Sequence, residues 1–289
     1  MADGVLMLLG LFAVSFGIGV VAPLAGVGGG VLYTPLLLGF TNINPDIVRG
    51  AGLTVATYSS IMASTRLFRQ RIAPFRLVIL ASAVLMPSGV LGAQMGIYVT
   101  SLGKWGIGLL RVALGVVMFL VVAVLLLKRV DWPEGSCDGR AVRIFNLAYS
   151  YHDQVLGKAV NYCPARLGFG LLIQALVGFA AGFFGLGAGW ALIPVYNLVM
   201  LLPLRVAVAA ANASIGIANS ATLWVFLHSN KLNPEIYIVS GLAVILGSLL
   251  GARLLTTAPL RLIRSIVIVI MALNGVQLVI KGGLEMAGL

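Results

Sequence analysis

Gly26-Val27-Gly28-Gly29-Gly30 and Gly185-Leu186-Gly187-Ala188-Gly189 each interrupt a long apolar run. A short apolar run follows each, with a proline at the same offset: Pro35 in the first case and Pro194 in the second. Further matches keep the same order along the chain. Pro45 pairs with Pro203, Ile72-Ala73-Pro74 with Leu232-Asn233-Pro234, and Leu91-Gly92-Ala93-Gln94 with Leu250-Gly251-Ala252-Arg253. Ordered self-similarity of this kind marks a duplicated unit. The chain divides into repeat 1 (1–127), a polar inter-repeat loop (128–165) and repeat 2 (166–289).

Composition identifies the solvent. Of 289 residues, 60% are apolar and only 9% are charged, and the mean hydropathy is +1.07. A typical soluble domain is roughly 45–50% apolar and about 25% charged. This chain reads as a multi-pass protein of the cell membrane, with the lipid bilayer as its main partner. The net charge of +11 would point to nucleic acid in a soluble protein. Here the basic residues lie between apolar runs, as in membrane proteins, and no nucleic-acid partner is expected. Met1-Ala2-Asp3-Gly4 carries an acid and no base, so a removable signal is not expected. Two cysteines exclude a disulfide-rich secreted fold, and in a cytoplasmic loop they would be free thiols.

A membrane-spanning helix needs about 20 mainly apolar residues. Long runs fall at 4–24, 46–65, 75–98, 106–127, 166–184, 206–227, 235–255 and 261–281, with short ones at 31–40 and 190–202. The expected fold class is therefore all-α and polytopic, with two homologous repeats. Each repeat holds a Gly-broken helical hairpin and three further transmembrane helices. The tail of the polar loop, Ala141 to Val160, reads as a short surface helix.

The breaks decide topology. If each short run continues the helix before it, a repeat crosses four times and the two repeats are parallel. If it turns back, the repeats are inverted. A continuous helix over 4–40 would run about 55 Å, against a hydrocarbon core of about 30 Å. The hairpin arrangement gathers 14 of the 19 basic residues on the face of the inter-repeat loop, and the continuous one only 12. Inverted repeats are favoured, with the loop in the cytoplasm and both termini outside.

The breaks are also where ligand chemistry is expected. Irregular backbone inside a membrane is tolerated only where protein buries it or where it lines a wet cavity. Glycine lets a ligand approach the backbone closely. Short helices opening after Gly28, Gly29 and Gly30, and after Gly187, Ala188 and Gly189, would turn free N–H groups and positive dipole ends inward. Two such ends form an anion site without a buried Lys or Arg. The competing role for these glycines is close helix packing. Trp190 follows Gly189 directly and is placed to shape the site. Among the small polar residues after each hairpin (Gly52, Thr54, Thr57, Ser59, Ser60; Asn212, Ser214, Asn219, Ser220), Thr54, Asn212 and Ser214 are the side chains expected to donate to an anion. Ordinary helix–helix hydrogen bonding is the alternative for each. Arg253 and His228 sit at helix ends and are read as interfacial.

None of the eight acids falls in the middle of an apolar run, which argues against a carboxylate proton relay. No Walker A or HExxH pattern is present. Cys137, His152, Asp153 and Cys163 match no standard metal spacing, so neither a metal nor a cofactor is expected.

Gly26-Val27-Gly28-Gly29-Gly30 with Thr34-Pro35, Gly185-Leu186-Gly187-Ala188-Gly189-Trp190 with Pro194, and Leu250-Gly251-Ala252-Arg253 together resemble the sulfite exporter TauE/SafE family of membrane transporters. The resemblance covers 4–127 and 166–281. It implies transport of small sulfur-containing anions, sulfite or an organosulfonate, with no enzymatic activity. It also implies that Gly28–Gly30 and Gly187–Gly189 line the pathway. The chain departs from the plainer pattern at Ala188 and in its long central loop. The expected function is secondary transport of a small anionic substrate by alternating access. The alternatives are a channel-like anion uniporter and a sensor or assembly partner acting through 128–165. A homodimer is compatible with either.

Overall fold

The computed structural model describes residues 2–25, 28–41, 43–69, 72, 74–127, 140–153, 158–231, 233–254 and 260–288. Repeat 1 consists of α1 (Ala2–Ala25), α2 (Gly29–Phe40), α3 (Pro45–Arg69), α4 (Phe75–Ser101) and α5 (Lys104–Leu126). Repeat 2 consists of α7 (Leu167–Phe184), α8 (Gly189–Pro194), α9 (Leu204–His228), α10 (Pro234–Leu254) and α11 (Leu260–Met286). Among the described residues, six helices are long and apolar enough to cross a membrane. The all-α polytopic reading holds, and the helices fall on the apolar runs of the sequence.

Local chemistry sets the boundaries. Pro45 and Pro234 open α3 and α10, where a missing N–H and a fixed φ suit the first helical position. Each follows an asparagine cap: Asn44 Oδ1 accepts from Asp46 N at 2.9 Å, and Asn233 Oδ1 from Glu235 N at 3.1 Å. Pro35 lies inside α2 and Pro194 inside α8. After Pro194 the chain widens into one π-helical turn, Val195–Val199, closed by the bond from Met200 N to Val195 O at 3.0 Å.

The inter-repeat loop departs from the expected surface helix. Among its described residues Arg140–Ile144 is helical (α6), and β1 (Tyr149–Asp153) pairs antiparallel with β2 (Lys158–Tyr162). Alternation is the reason. Tyr149 and Tyr151 share one strand face and meet Tyr162 across the pair, at ring separations of 5.7 and 5.9 Å. Cross-strand aromatic pairs of this kind stabilise a hairpin. Cys163, at the buried corner between β2 and α7, is disulfide-bonded, where a free thiol was expected. That expectation rested on compartment alone, whereas a disulfide is decided by a second sulfur within bonding reach.

Glycines make the interfaces between the repeats. α1 packs along α10, α7 along α4, α3 along α9 and α5 along α11. The first two interfaces correspond residue for residue. A Cβ on Gly19 would meet Val244 O at 2.7 Å and Gly247 Cα at 3.1 Å, and one on Gly178 would overlap Ser88 Oγ and meet Leu85 Cδ1 at 2.9 Å. Gly251 abuts Val20 as Gly92 abuts Phe179. Under the alignment that matches Gly26 to Gly185, these are the same contacts made twice. In the other two interfaces a helix meets its own counterpart. Gly108 faces Gly282 and Gly115 faces Gly275, so α5 and α11 run antiparallel. Gly50 lies near Phe226 and Gly216 near Ile61, so α3 and α9 do too.

Backbone contact this close leaves no room for a side chain. A Cβ on Gly182 would overlap the carbonyl of Gly89. Gly182→Val is expected to destabilise the protein by about 3 kcal/mol. Loss of the monodisperse peak on size exclusion in detergent, or a clearly lowered melting midpoint, checks it.

Candidate functional site

The two breaks lie against each other. Gly28 is the extended residue before α2, with φ −72° and ψ 144°. A Cβ on Gly189 would lie 3.3 Å from Gly28 N and 3.4 Å from Gly28 Cα. The starts of α2 and α8 thus meet, although they are 160 positions apart in sequence. Neither start has a side-chain cap. Helix N-termini leave their first amides without intrahelical acceptors and carry roughly half a positive charge. Residues 26 and 27 of the first motif lie outside the described residues.

Glycine is required at particular positions for identifiable reasons. A Cβ on Gly30 would meet Gly52 O at 2.6 Å, and one on Gly29 would meet Val55 Cγ1 at 2.8 Å. Gly185 and Gly187 both sit at φ +69°, a left-handed conformation that disfavours other residues. Gly185 ends α7 as its left-handed cap. Ala188, by contrast, has φ −97° and ψ −1°, which alanine adopts freely. The departure from glycine at this position therefore costs the turn nothing.

α3 and α9 wall the breaks. The α3 side presents Gly52, Val55, Ala56 and Ser59, spaced on one helical face. The α9 side presents Ile215, 3.7 Å from the Cβ position of Gly189, and Asn219, whose Nδ2 is 3.6 Å from the Cβ position of Gly187. Two buried polar atoms on residues at the breaks lack a hydrogen-bond partner among the described residues: Asn219 Nδ2 and Trp190 Nε1. Both residues are 4% exposed. A buried donor without a partner costs roughly 1–3 kcal/mol, so two at the breaks form a pronounced feature.

The expected side chains are not brought together evenly. Trp190, next to Gly189, is buried, and Ser214 is buried on α9 with its hydroxyl toward Tyr196. Thr54 is buried but lies off the 52/55/56/59 face, and its hydroxyl donates to Gly50 O at 2.9 Å. Asn212 donates to Val208 O at 2.9 Å within α9. Two residues named only in passing take more central places. Asn219 is aimed at Gly187. Thr34, of the Thr-Pro pair in α2, donates to Gly185 O at 2.8 Å and so ties α2 to the second break. Asp46 and Arg49 are the other surprise. They form a buried ion pair at 2.8 Å, one turn along α3 from Gly52. Their i,i+3 spacing at a helix start was visible in the sequence, but their burial was not.

Comparisons with known proteins agree with this architecture. Residues 11–278 match the profile of the family described as "Sulfite exporter TauE/SafE". The chain is 25% identical over 291 aligned positions to the "Probable membrane transporter protein YunE" of Bacillus subtilis (strain 168), covering 96% of this chain and 97% of that one. No solved structure matches. A doubled glycine motif, six helices able to span a bilayer among the described residues and a profile match over most of its length show that this chain belongs to the TauE/SafE sulfite exporter family of multi-pass cell-membrane transporters.

Proposed function

We propose that the protein is a secondary transporter for a small sulfur oxyanion, sulfite or an organosulfonate, bound where the two glycine breaks meet. The observation that carries this reading is the contact of Gly28 with Gly189 beside the unpartnered amide of Asn219. An oxyanion needs several donors, and its dehydration must be offset. Backbone amides at two helix starts, the Asn219 amide and the Trp190 indole N–H supply donors. No lysine or arginine is needed at the contact itself. The family and the YunE relative support transport, and the choice of a sulfur anion follows the family's name.

Movement follows from the pairing of helices. Counterpart helices that run antiparallel, α3 with α9 and α5 with α11, are what a two-fold axis in the membrane plane produces. Inverted repeats have two interchangeable conformations, and rocking one against the other exposes a shared site to either face in turn. The site lies on that axis, between α2 of one repeat and α8 of the other, so both conformations keep it.

Gly29→Leu and Gly187→Leu are expected to abolish sulfite flux in proteoliposomes while each variant still inserts. Full flux from both would refute the site. Asn219→Ala gives a finer reading, because no bond from its amide nitrogen to a described residue is lost. Its stability is expected to stay within about 1 kcal/mol of the parent. Its apparent affinity for sulfite should fall about tenfold, the loss of one donor to an anion. An unchanged sulfite titration would remove Asn219 from the site.

A further inference from the structure

A second arrangement of donors lies between the breaks and the face opposite the inter-repeat loop. Its centre is the Asp46 carboxylate, 3% exposed. Arg49 Nη1 donates to Oδ1 at 2.8 Å. Thr100 Oγ1 lies 2.8 and 3.0 Å from the two carboxylate oxygens, and Lys231 Nζ lies 3.6 Å from Oδ2. Arg49 is 0% exposed and sits over the Phe226 ring at 5.3 Å. Its Nη2 lies 3.4 Å from Gly182 O in the last turn of α7, and its Nε has no partner among the described residues. Lys231, in the α9–α10 connection, has a side chain 37% exposed and so carries the cluster to the surface.

Two features separate this cluster from a local structural ion pair. It joins the repeats, because Asp46, Arg49 and Thr100 belong to the first while Lys231 and Phe226 belong to the second. It also abuts the breaks, since a Cβ on Gly185 would overlap the Arg49 backbone carbonyl. A guanidinium, a hydroxyl and an ammonium converge on one two-oxygen acceptor. That acceptor is a carboxylate of the chain, and a small oxyanion presents the same oxygens to the same donors.

We propose that Arg49, Thr100 and Lys231 form a second oxyanion station on the route between the breaks and the face opposite the inter-repeat loop, held by the Asp46 carboxylate as a tethered counter-ion until a substrate anion displaces it. The inference rests on the reading of this protein as an anion transporter. Removing one partner of a buried pair leaves the other charge uncompensated, so the station is testable by replacing the tethered anion with a free one.

The experiment is thermal unfolding of the purified full chain in detergent, in gluconate buffer, titrated with formate or with sulfite. Asp46→Ala is expected to melt lower than the parent by on the order of 5 °C. Millimolar formate and sulfite should each restore at least half of that loss. Neither should do so in Asp46→Ala/Arg49→Gln. Asp46→Asn keeps the shape of the side chain and guards against a failure of the alanine variants to fold. It should bind sulfite about tenfold more tightly than the parent, because the competing charge is gone. Indifference of Asp46→Ala to both anions, equal rescue in the double variant, or unchanged sulfite affinity in Asp46→Asn overturns the station. Sulfite flux by the parent is measured separately. Rescue without flux supports the station's chemistry and removes transport of this anion, whereas flux without rescue does the reverse.

Discussion

A helix broken inside a bilayer leaves backbone amides and carbonyls that lipid cannot satisfy, and this chain breaks two of them. Much of the architecture answers that constraint. The breaks are stacked on each other, Gly28 against Gly189, and Gly29, Gly30 and residues 185–190 are buried in protein. The Gly185 carbonyl takes a bond from Thr34 of the other repeat. Glycine is essential because the approach is backbone to backbone: a Cβ on Gly30 would sit 2.6 Å from the Gly52 carbonyl. The amides at the two helix starts then share one protected place, the condition under which such groups bind an anion.

The surrounding helices keep the breaks in register. Small residues let the backbones of α1 and α10, and of α4 and α7, approach within side-chain-free contact, which is how helices associate when lipid offers no hydrophobic driving force. The same contacts recur in both interfaces. On one face the repeats are further joined by charge, through Asp46, Arg49 and Lys231. The interfaces that position the breaks are the surfaces that must slide if the repeats rock.

Much of this was legible in the residues. The glycine motifs, the short runs after them and the prolines at equal offsets place α2 and α8 within a few positions of where they lie. Side-chain roles were harder to read. Thr54 and Asn212 have the right chemistry, but each bonds back to its own helix. Asn219 differs from Asn212 only in which turn of α9 carries it, and that is decided by packing against Gly187. Asp46 and Arg49 lie near a helix start, where charge usually meets solvent, and only the packing of α4, α7 and α9 over them makes them buried. The tail of the inter-repeat loop, expected as a surface helix, pairs as strands instead. Its strand pair depends on Tyr149 and Tyr151 meeting Tyr162.

The most direct test of the account is uptake of labelled sulfite into proteoliposomes, with empty liposomes as the leak control and sulfate, thiosulfate, sulfoacetate, taurine and acetate as competitors. The account predicts saturable uptake, accelerated by unlabelled sulfite inside the vesicles and competed by sulfur oxyanions but not by acetate. Uptake no faster than the leak, with no anion altering the protein's melting midpoint, would contradict it.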